Sequence, residues 1–199
     1  MPSPQKWGDY PTFVALAKAE GGFENSTEWL ENFSYDDGWR VDHHERLMGD
    51  VDGDGDADVV GFGSWGTFVA LSNGQNGFSS ASVWGTDFQT NRGWSERDHQ
   101  RTVGDVNGDG KADLIAFGDE GVYVSLSNGA AFESATLWSD DFGVDDGWLT
   151  SAHMLEIADV NGDGYDDIVA YNAEAIYVAL SNGTQFSDAT EWTPGDYLL

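Results

Sequence analysis

Apolar, β-rich runs such as Val59-Val60-Gly61-Phe62 and Val69-Ala70-Leu71 alternate along the chain with clusters of Gly, Asn and Asp. Breaks of this kind at intervals of about 8–12 residues are strand-and-turn punctuation. No stretch shows the period of an amphipathic helix. The segment 101–138 predicts four short strands: Arg101–Val103, Ala112–Phe117, Val122–Leu126 and Ala135–Trp138. Ser-Asn-Gly at 72–74, 127–129 and 181–183 supplies residues that tolerate positive φ, as a hairpin turn requires.

The pattern repeats. Gly49-Asp50-Val51-Asp52-Gly53-Asp54-Gly55 returns as Gly104-Asp105-Val106-Asn107-Gly108-Asp109-Gly110 and as Ala158-Asp159-Val160-Asn161-Gly162-Asp163-Gly164, at spacings of 55 and 54 residues. Val69-Ala70-Leu71-Ser72-Asn73-Gly74 recurs in the same register at Val124 and Val178, and Trp29, Trp84, Trp138 and Trp192 keep step. Val14-Ala15-Leu16-Ala17 is a degenerate earlier copy without its acidic loop. The units expected are a partial blade over 1–39, then 40–94, 95–148 and 149–199. Four-stranded units at this period predict an all-β fold, a β-propeller whose blades bury both faces against their neighbours. A parallel β-helix needs a shorter repeat, and a sandwich does not repeat. Trp29, Trp84, Trp138 and Trp192, on strands, are expected to pack between blades. Propellers typically close at about four to eight blades. Three units and a fraction therefore lead us to expect a homo-oligomer, two chains completing one ring.

Composition narrows the function. With 36 Asp+Glu against 8 Lys+Arg the net charge is −28, the wrong sign for phosphate contacts or for an anionic membrane. Without Cys there are no disulfides or Cys-ligated zinc. No apolar run of membrane-spanning length occurs, so no membrane insertion is expected. The start Met1-Pro2-Ser3-Pro4-Gln5-Lys6 lacks a signal peptide's apolar stretch, which points to the cytoplasm or to non-classical secretion. Disorder is excluded by an aromatic content of 14%.

Part of the charge has a chemical reason. Asp50, Asp52, Asp54 and Asp58 fall at positions 1, 3, 5 and 9 of a loop with Gly55 at position 6. Asp105, Asn107, Asp109, Asp113 and Asp159, Asn161, Asp163, Asp167 repeat the positions. Alternate oxygen side chains on a tight coil converge on one point, where a hard cation such as Ca²⁺ offsets their repulsion. Position 7 varies (Asp56, Lys111, Tyr165), as expected if it contributes its backbone carbonyl. An EF-hand or dockerin loop is followed by a helix, and the EF-hand carries Glu at position 12. Here position 12 is Gly61, Ala116 or Ala170, inside a β-like run. About three structural calcium ions per chain are expected, bringing −28 to −22.

A second phrase, Phe-x₄-Gly-Trp-x₄-His-x-Arg, links the units. It runs Phe33 to Gly38-Trp39, His44 and Arg46, then Phe88 to Gly93-Trp94, His99 and Arg101. Its third copy runs Phe142 to Gly147-Trp148 and His153, with Leu155 where Arg would stand. A Trp face with fixed polar donors suits a small polyhydroxylated ligand. The same Trp and His residues would equally serve to plug gaps between blades, and spacing alone leaves both roles open.

At these residues the chain resembles a known family. Asp105-Val106-Asn107-Gly108-Asp109-Gly110 through Gly118 is similar to the FG-GAP repeat of integrin α-subunit propellers. The phrase Asn32 to Arg46 resembles the repeat of Psathyrella velutina-type fungal lectins and of Photorhabdus seven-bladed lectins, and the likeness covers nearly the whole chain. It implies a calcium-supported propeller and a multivalent lectin for glycans or glycoproteins, with N-acetylglucosamine- or fucose-type pockets between blades. The ligand residues it implies are Trp39, His44 and Arg46, then Trp94, His99 and Arg101, then Trp148 and His153. An integrin-like, protein-binding scaffold with purely structural calcium is the alternative. No Ser or Cys has a nucleophile context, so no enzyme is expected.

Overall fold

The computed structural model describes residues 12–95 and 97–194, so Met1–Lys6 lies outside the described residues. Its strands are β1 (Thr12–Val14), β2 (Thr27–Leu30), β3 (Arg46–Gly49), β4 (Asp58–Phe62), β5 (Thr67–Ala70), β6 (Ser82–Gly85), β7 (Arg101–Gly104), β8 (Asp113–Phe117), β9 (Val122–Ser125), β10 (Thr136–Ser139), β11 (Met154–Ala158), β12 (Asp167–Tyr171), β13 (Ala175–Ala179) and β14 (Thr190–Pro194). Three four-stranded antiparallel meanders, β3–β6, β7–β10 and β11–β14, follow a two-stranded sheet, β1–β2. Among the described residues the helical content is one 3₁₀ turn, Thr90–Arg92, and no helix is long and apolar enough to cross a membrane.

The second strand of each four-stranded sheet is buried on both faces: every residue of β4 and β8, and all but the last of β12. For β4 and β8 this fits a sheet on either side, as in stacked blades; β12 is buried although no described sheet follows its own. The apolar clusters accordingly lie between sheets. Val60, Phe62 and Trp84 of one sheet meet Leu114, Ala116 and Phe132 of the next. Ile115, Phe117 and Trp138 of that sheet meet Ile168, Ala170 and Phe186 of the one after.

The last strand of each sheet is joined by a register shift to its neighbour, as at Thr67/Phe68, Leu137/Ser139 and Ile176/Tyr177. Its Trp leans onto a Phe of the following unit. Trp29–Phe78, Trp84–Phe132 and Trp138–Phe186 all sit 5.6 Å apart, tilted by 57–59°. In each pair the Phe amide donates to the Trp carbonyl, at 3.2, 2.9 and 3.1 Å. Trp192, expected to pack in the same way, is 50% exposed because no described sheet follows it. In the Ser-Asn-Gly turns the left-handed φ is taken by Gly74, Gly129 and Gly183. The Asn contributes its side chain instead: Asn73 Oδ1 accepts from Gln75, Asn76 and Gly77.

Candidate functional site

The acidic loops coil as their spacing requires. At position 1, Asp50 accepts from the Gly53, Asp54 and Gly55 amides, Asp105 from Asp109 and Gly110, and Asp159 from Gly162, Asp163 and Gly164. Asp52, Asn107 and Asn161 accept from the amide two residues on, as do Asp54, Asp109 and Asp163. The carboxylates crowd: Asp50, Asp52 and Asp58 each bring an oxygen within 4.8 Å of the others.

Position 9 has a second role. Asp58, Asp113 and Asp167 are fully buried and accept from the Ser72, Ser127 and Ser181 amides at 2.7, 2.7 and 2.8 Å. Each thereby ties its loop to the next hairpin. Burial pushes the carboxyl of Asp58 up to about 6 and that of Asp113 up to about 7, with neighbouring Asp charges adding to the rise. Asp159 moves the other way, because amides led by Gly164 stabilise its charge. Position 7 turns outward: a Cβ on Gly53 would lie 3.0 Å from Lys111, and one on Gly108 2.8 Å from Tyr165. Lys111 also bends its ammonium to Asp109 at 2.8 Å.

The linking phrase builds one motif three times. Each Trp is half-buried and stands between a preceding Phe, a His and an aromatic of the sheet's third strand, edge-on in every contact but the tilted Trp148–Phe142. Trp39 contacts Phe33, His44 and Phe68 at 4.7, 5.3 and 5.7 Å. Trp94 contacts Phe88, His99 and Tyr123 at 5.0, 5.2 and 5.9 Å. Trp148 contacts Phe142, His153 and Tyr177 at 5.3, 5.0 and 5.8 Å. In every copy His Nδ1 accepts a backbone amide, from Arg40, Ser95 or Leu149. That bond leaves the proton of the neutral ring on Nε2. In two copies Nε2 faces a polar side chain, Ser64 Oγ at 3.0 Å or Asp119 Oδ1 at 3.1 Å. Burial, helped by His43 and nearby Arg residues, lowers the His44 pKa and keeps that ring neutral.

Around Trp94 this motif forms the wall of a cleft of about 300 Å³, lined also by Arg92, His99, Asp119, Glu120 and Tyr123. The two arginines fall in different places. Arg46 lies 5.9 Å from the Trp39 ring centroid. Arg101 is 1% exposed and does not line the cleft; it donates to the Phe88 carbonyl, covers the Phe62 ring at 4.8 Å and approaches Glu45 at 3.7 Å. A residue so enclosed cannot touch a ligand, so the ligand role expected for Arg101 is replaced by cross-sheet packing. Leu155, the third copy's residue there, is likewise buried. Arg92 and Asp119 escaped the sequence reading because their equivalents differ, Asp37 and Ser64 in the first unit and Asp146 and Ala173 in the third, and Glu120 because it is Trp65 in the first unit, though Glu174 in the third. A search for repeats passes over such positions.

The profile of the FG-GAP-like repeat matches residues 50–116 and 105–170, together more than half of the chain. No curated protein sequence matches the chain. Among solved structures, an Agrocybe aegerita lectin described as specifically recognising non-reducing terminal N-acetylglucosamine is 36% identical, with a TM-score of 0.84 over 92% of this chain and 46% of that one. The chain thus spans about half the length of that lectin. The Photorhabdus luminescens Tc holotoxin pore, at 15% identity, shares the fold alone, with a TM-score of 0.59 over 98% of this chain and 10% of that one.

Proposed function

The chain belongs to the FG-GAP-like repeat family, and on that premise we propose that it is a carbohydrate-binding protein, a multivalent lectin of propeller blades that takes terminal N-acetylglucosamine. The observation that carries this reading is the cleft at Trp94. An aromatic wall stands beside a His of fixed tautomer and two carboxylates, which matches the apolar face and ringed hydroxyls of a pyranose. The likeness to a lectin over most of the chain supports it further. Repetition at Trp39 and Trp148 makes the protein multivalent, and repeated weak sites gain avidity on a glycan-coated surface. The three His residues, each used in the same way, speak for recurrent binding rather than for catalysis. We take the partner that completes the ring of blades to be a second copy of the chain.

Calcium belongs to the same reading. The donor set is all oxygen, four side chains at positions 1, 3, 5 and 9 of each loop on a tight Gly-containing coil, and it fits a hard divalent cation. Asp50, Asp52, Asp54 and Asp58, with the peptide carbonyl of Asp56, would hold the first ion. The loops built on Asp105 and Asp159 would hold two more, through the carbonyls of Lys111 and Tyr165. A bound ion would offset carboxylate repulsion and clamp the loop, at a distance from the sugar clefts in sequence. A glycan array probed with the calcium-loaded chain tests the reading. Selective capture by terminal N-acetylglucosamine is expected, fucose-terminated glycans being the other ligand class, and a blank array from folded protein would contradict it.

A further inference from the structure

Beside the first copy of the Trp-His motif stands a tryptophan that the repeat does not call for. Trp65 is 76% exposed, more than any other described tryptophan, and among the described residues it makes no hydrogen bond or ring contact. A tight turn between β4 and β5 fixes its place, closed by the Gly63 amide donating to the Gly66 carbonyl at 2.9 Å. The same turn recurs in the other sheets, where Gly118 donates to Gly121 and Asn172 to Ala175. Its two central residues are Ser64-Trp65, Asp119-Glu120 and Ala173-Glu174. Ser64 Oγ stands 3.0 Å from His44 Nε2, as Asp119 Oδ1 stands 3.1 Å from His99 Nε2. Trp65 therefore follows directly on the group that meets the His, and its counterpart Glu120 lines the Trp94 cleft. The two side chains are held differently. The Tyr123 hydroxyl donates to Glu120 Oε2 at 3.2 Å, whereas Phe68, in the place of Tyr123, has no hydroxyl to draw a neighbour back.

We infer that Trp65 is a second sugar platform, stacking on the penultimate pyranose of a glycan whose terminal N-acetylglucosamine occupies the Trp39 motif. This rests on the lectin reading of that motif. A terminal sugar held by Trp39 and His44 is one glycosidic bond from the next ring, and Ser64 is one peptide bond from Trp65, so a glycan leaving past Ser64 meets the indole. The C–H face of a pyranose matches an uncovered indole, whereas a carboxylate at the same position offers only hydrogen bonds to hydroxyls. Glu120 and Glu174 leave the other two copies without this platform. The repeated sites are therefore unequal: the Trp39 copy prefers an oligosaccharide, and the others read the terminal residue. Tyr35, also aromatic in the first copy alone, does not compete for the role, because the Arg40 guanidinium already covers its ring at 3.6 Å.

The test is calorimetric titration of the parent chain and of Trp65→Ala with N-acetylglucosamine and with triacetylchitotriose, circular dichroism confirming the fold of the variant. The parent should bind the trisaccharide roughly tenfold tighter than the monosaccharide at one site per chain. Trp65→Ala should lose that preference and keep its affinity for the monosaccharide, and Trp65→Tyr should restore part of the preference. In nuclear magnetic resonance spectra, the indole N–H signal that Trp65→Ala removes should shift on addition of the trisaccharide and stay in place with the monosaccharide. A parent that binds both sugars alike, or a Trp65→Ala variant that keeps the preference, would overturn the inference and leave the lectin reading standing. A folded parent that binds neither sugar would overturn the lectin reading itself, and the inference with it.

Discussion

His99 and Arg101 stand two residues apart at the entry to β7, yet one reaches the cleft and the other the core. His99 lies in the turn before the strand, anchored through Nδ1 and presenting Nε2 to Asp119. Arg101 opens the strand itself and is enclosed by Phe62, Phe88 and Glu45. The two should therefore fail differently. His99→Ala should weaken N-acetylglucosamine binding at that cleft by roughly tenfold, because it removes the hydrogen bond that holds the Asp119 carboxylate at the cleft, with little change in melting temperature. Arg101→Ala should destabilise the fold by about 3 kcal/mol, because it opens a cavity and leaves Glu45 without its guanidinium. Calorimetric titration and denaturant melts of both variants check the pair. The sequence showed that the Trp and His recur, and the structure sets each His against its Trp in the same way. The sequence could not separate His from Arg, because spacing does not say which of two nearby polar residues faces inward.

At the scale of the element, the hairpin that carries each acidic loop is tied at three points: the loop coil, the buried position-9 Asp and the Ser-Asn-Gly turn. This much was legible. Strand positions followed from apolar runs between Gly, Asn and Asp, and β7, β8 and β9 each differ from expectation by one residue at one end, β10 by one residue at both. The rim of each cleft was not legible, since the turns at Ser64, Asp119 and Ala173 carry different residues on a repeated backbone.

Two predictions belong here. A cation bound only by the folded chain contributes about 2.7 kcal/mol per site when held at a hundredfold over its Kd. EDTA should then lower Tm on the order of 10 °C or more, and restored Ca²⁺ should recover it. In EDTA, Asp58 and Asp113 have folded pKa values raised to about 6 and about 7. Their contribution to stability is complete below the ordinary carboxylate range and is lost as pH rises through those values. The metal-free chain should accordingly melt higher at pH 5 than at pH 7.5, and saturating Ca²⁺ should shrink or reverse that difference. Melting curves at the two pH values, with and without Ca²⁺, measure both.

For the molecule as a whole, the cores lie between sheets rather than within any one of them, so stability depends on neighbours. Ser127→Ala removes a buried hydroxyl that bonds the Val51 carbonyl in the adjoining unit. It should cost about 1–2 kcal/mol and be felt in the melting of both sheets, as hydrogen exchange of β4 and β8 would record. The repeat made this stacking readable from the chain, including the burial of Trp84 and Trp138. It also led to the expectation that Trp192 is buried, which fails at the end of the stack, where burial depends on a further sheet. The central claim is that the Trp-His motif, built three times and lining a cleft at Trp94, makes the protein a multivalent lectin. Isothermal titration of the calcium-loaded chain with N-acetylglucosamine tests it most directly. The account predicts saturable heat with more than one site per chain, approaching three, and a folded chain that gives no heat with the sugar at any concentration would contradict it.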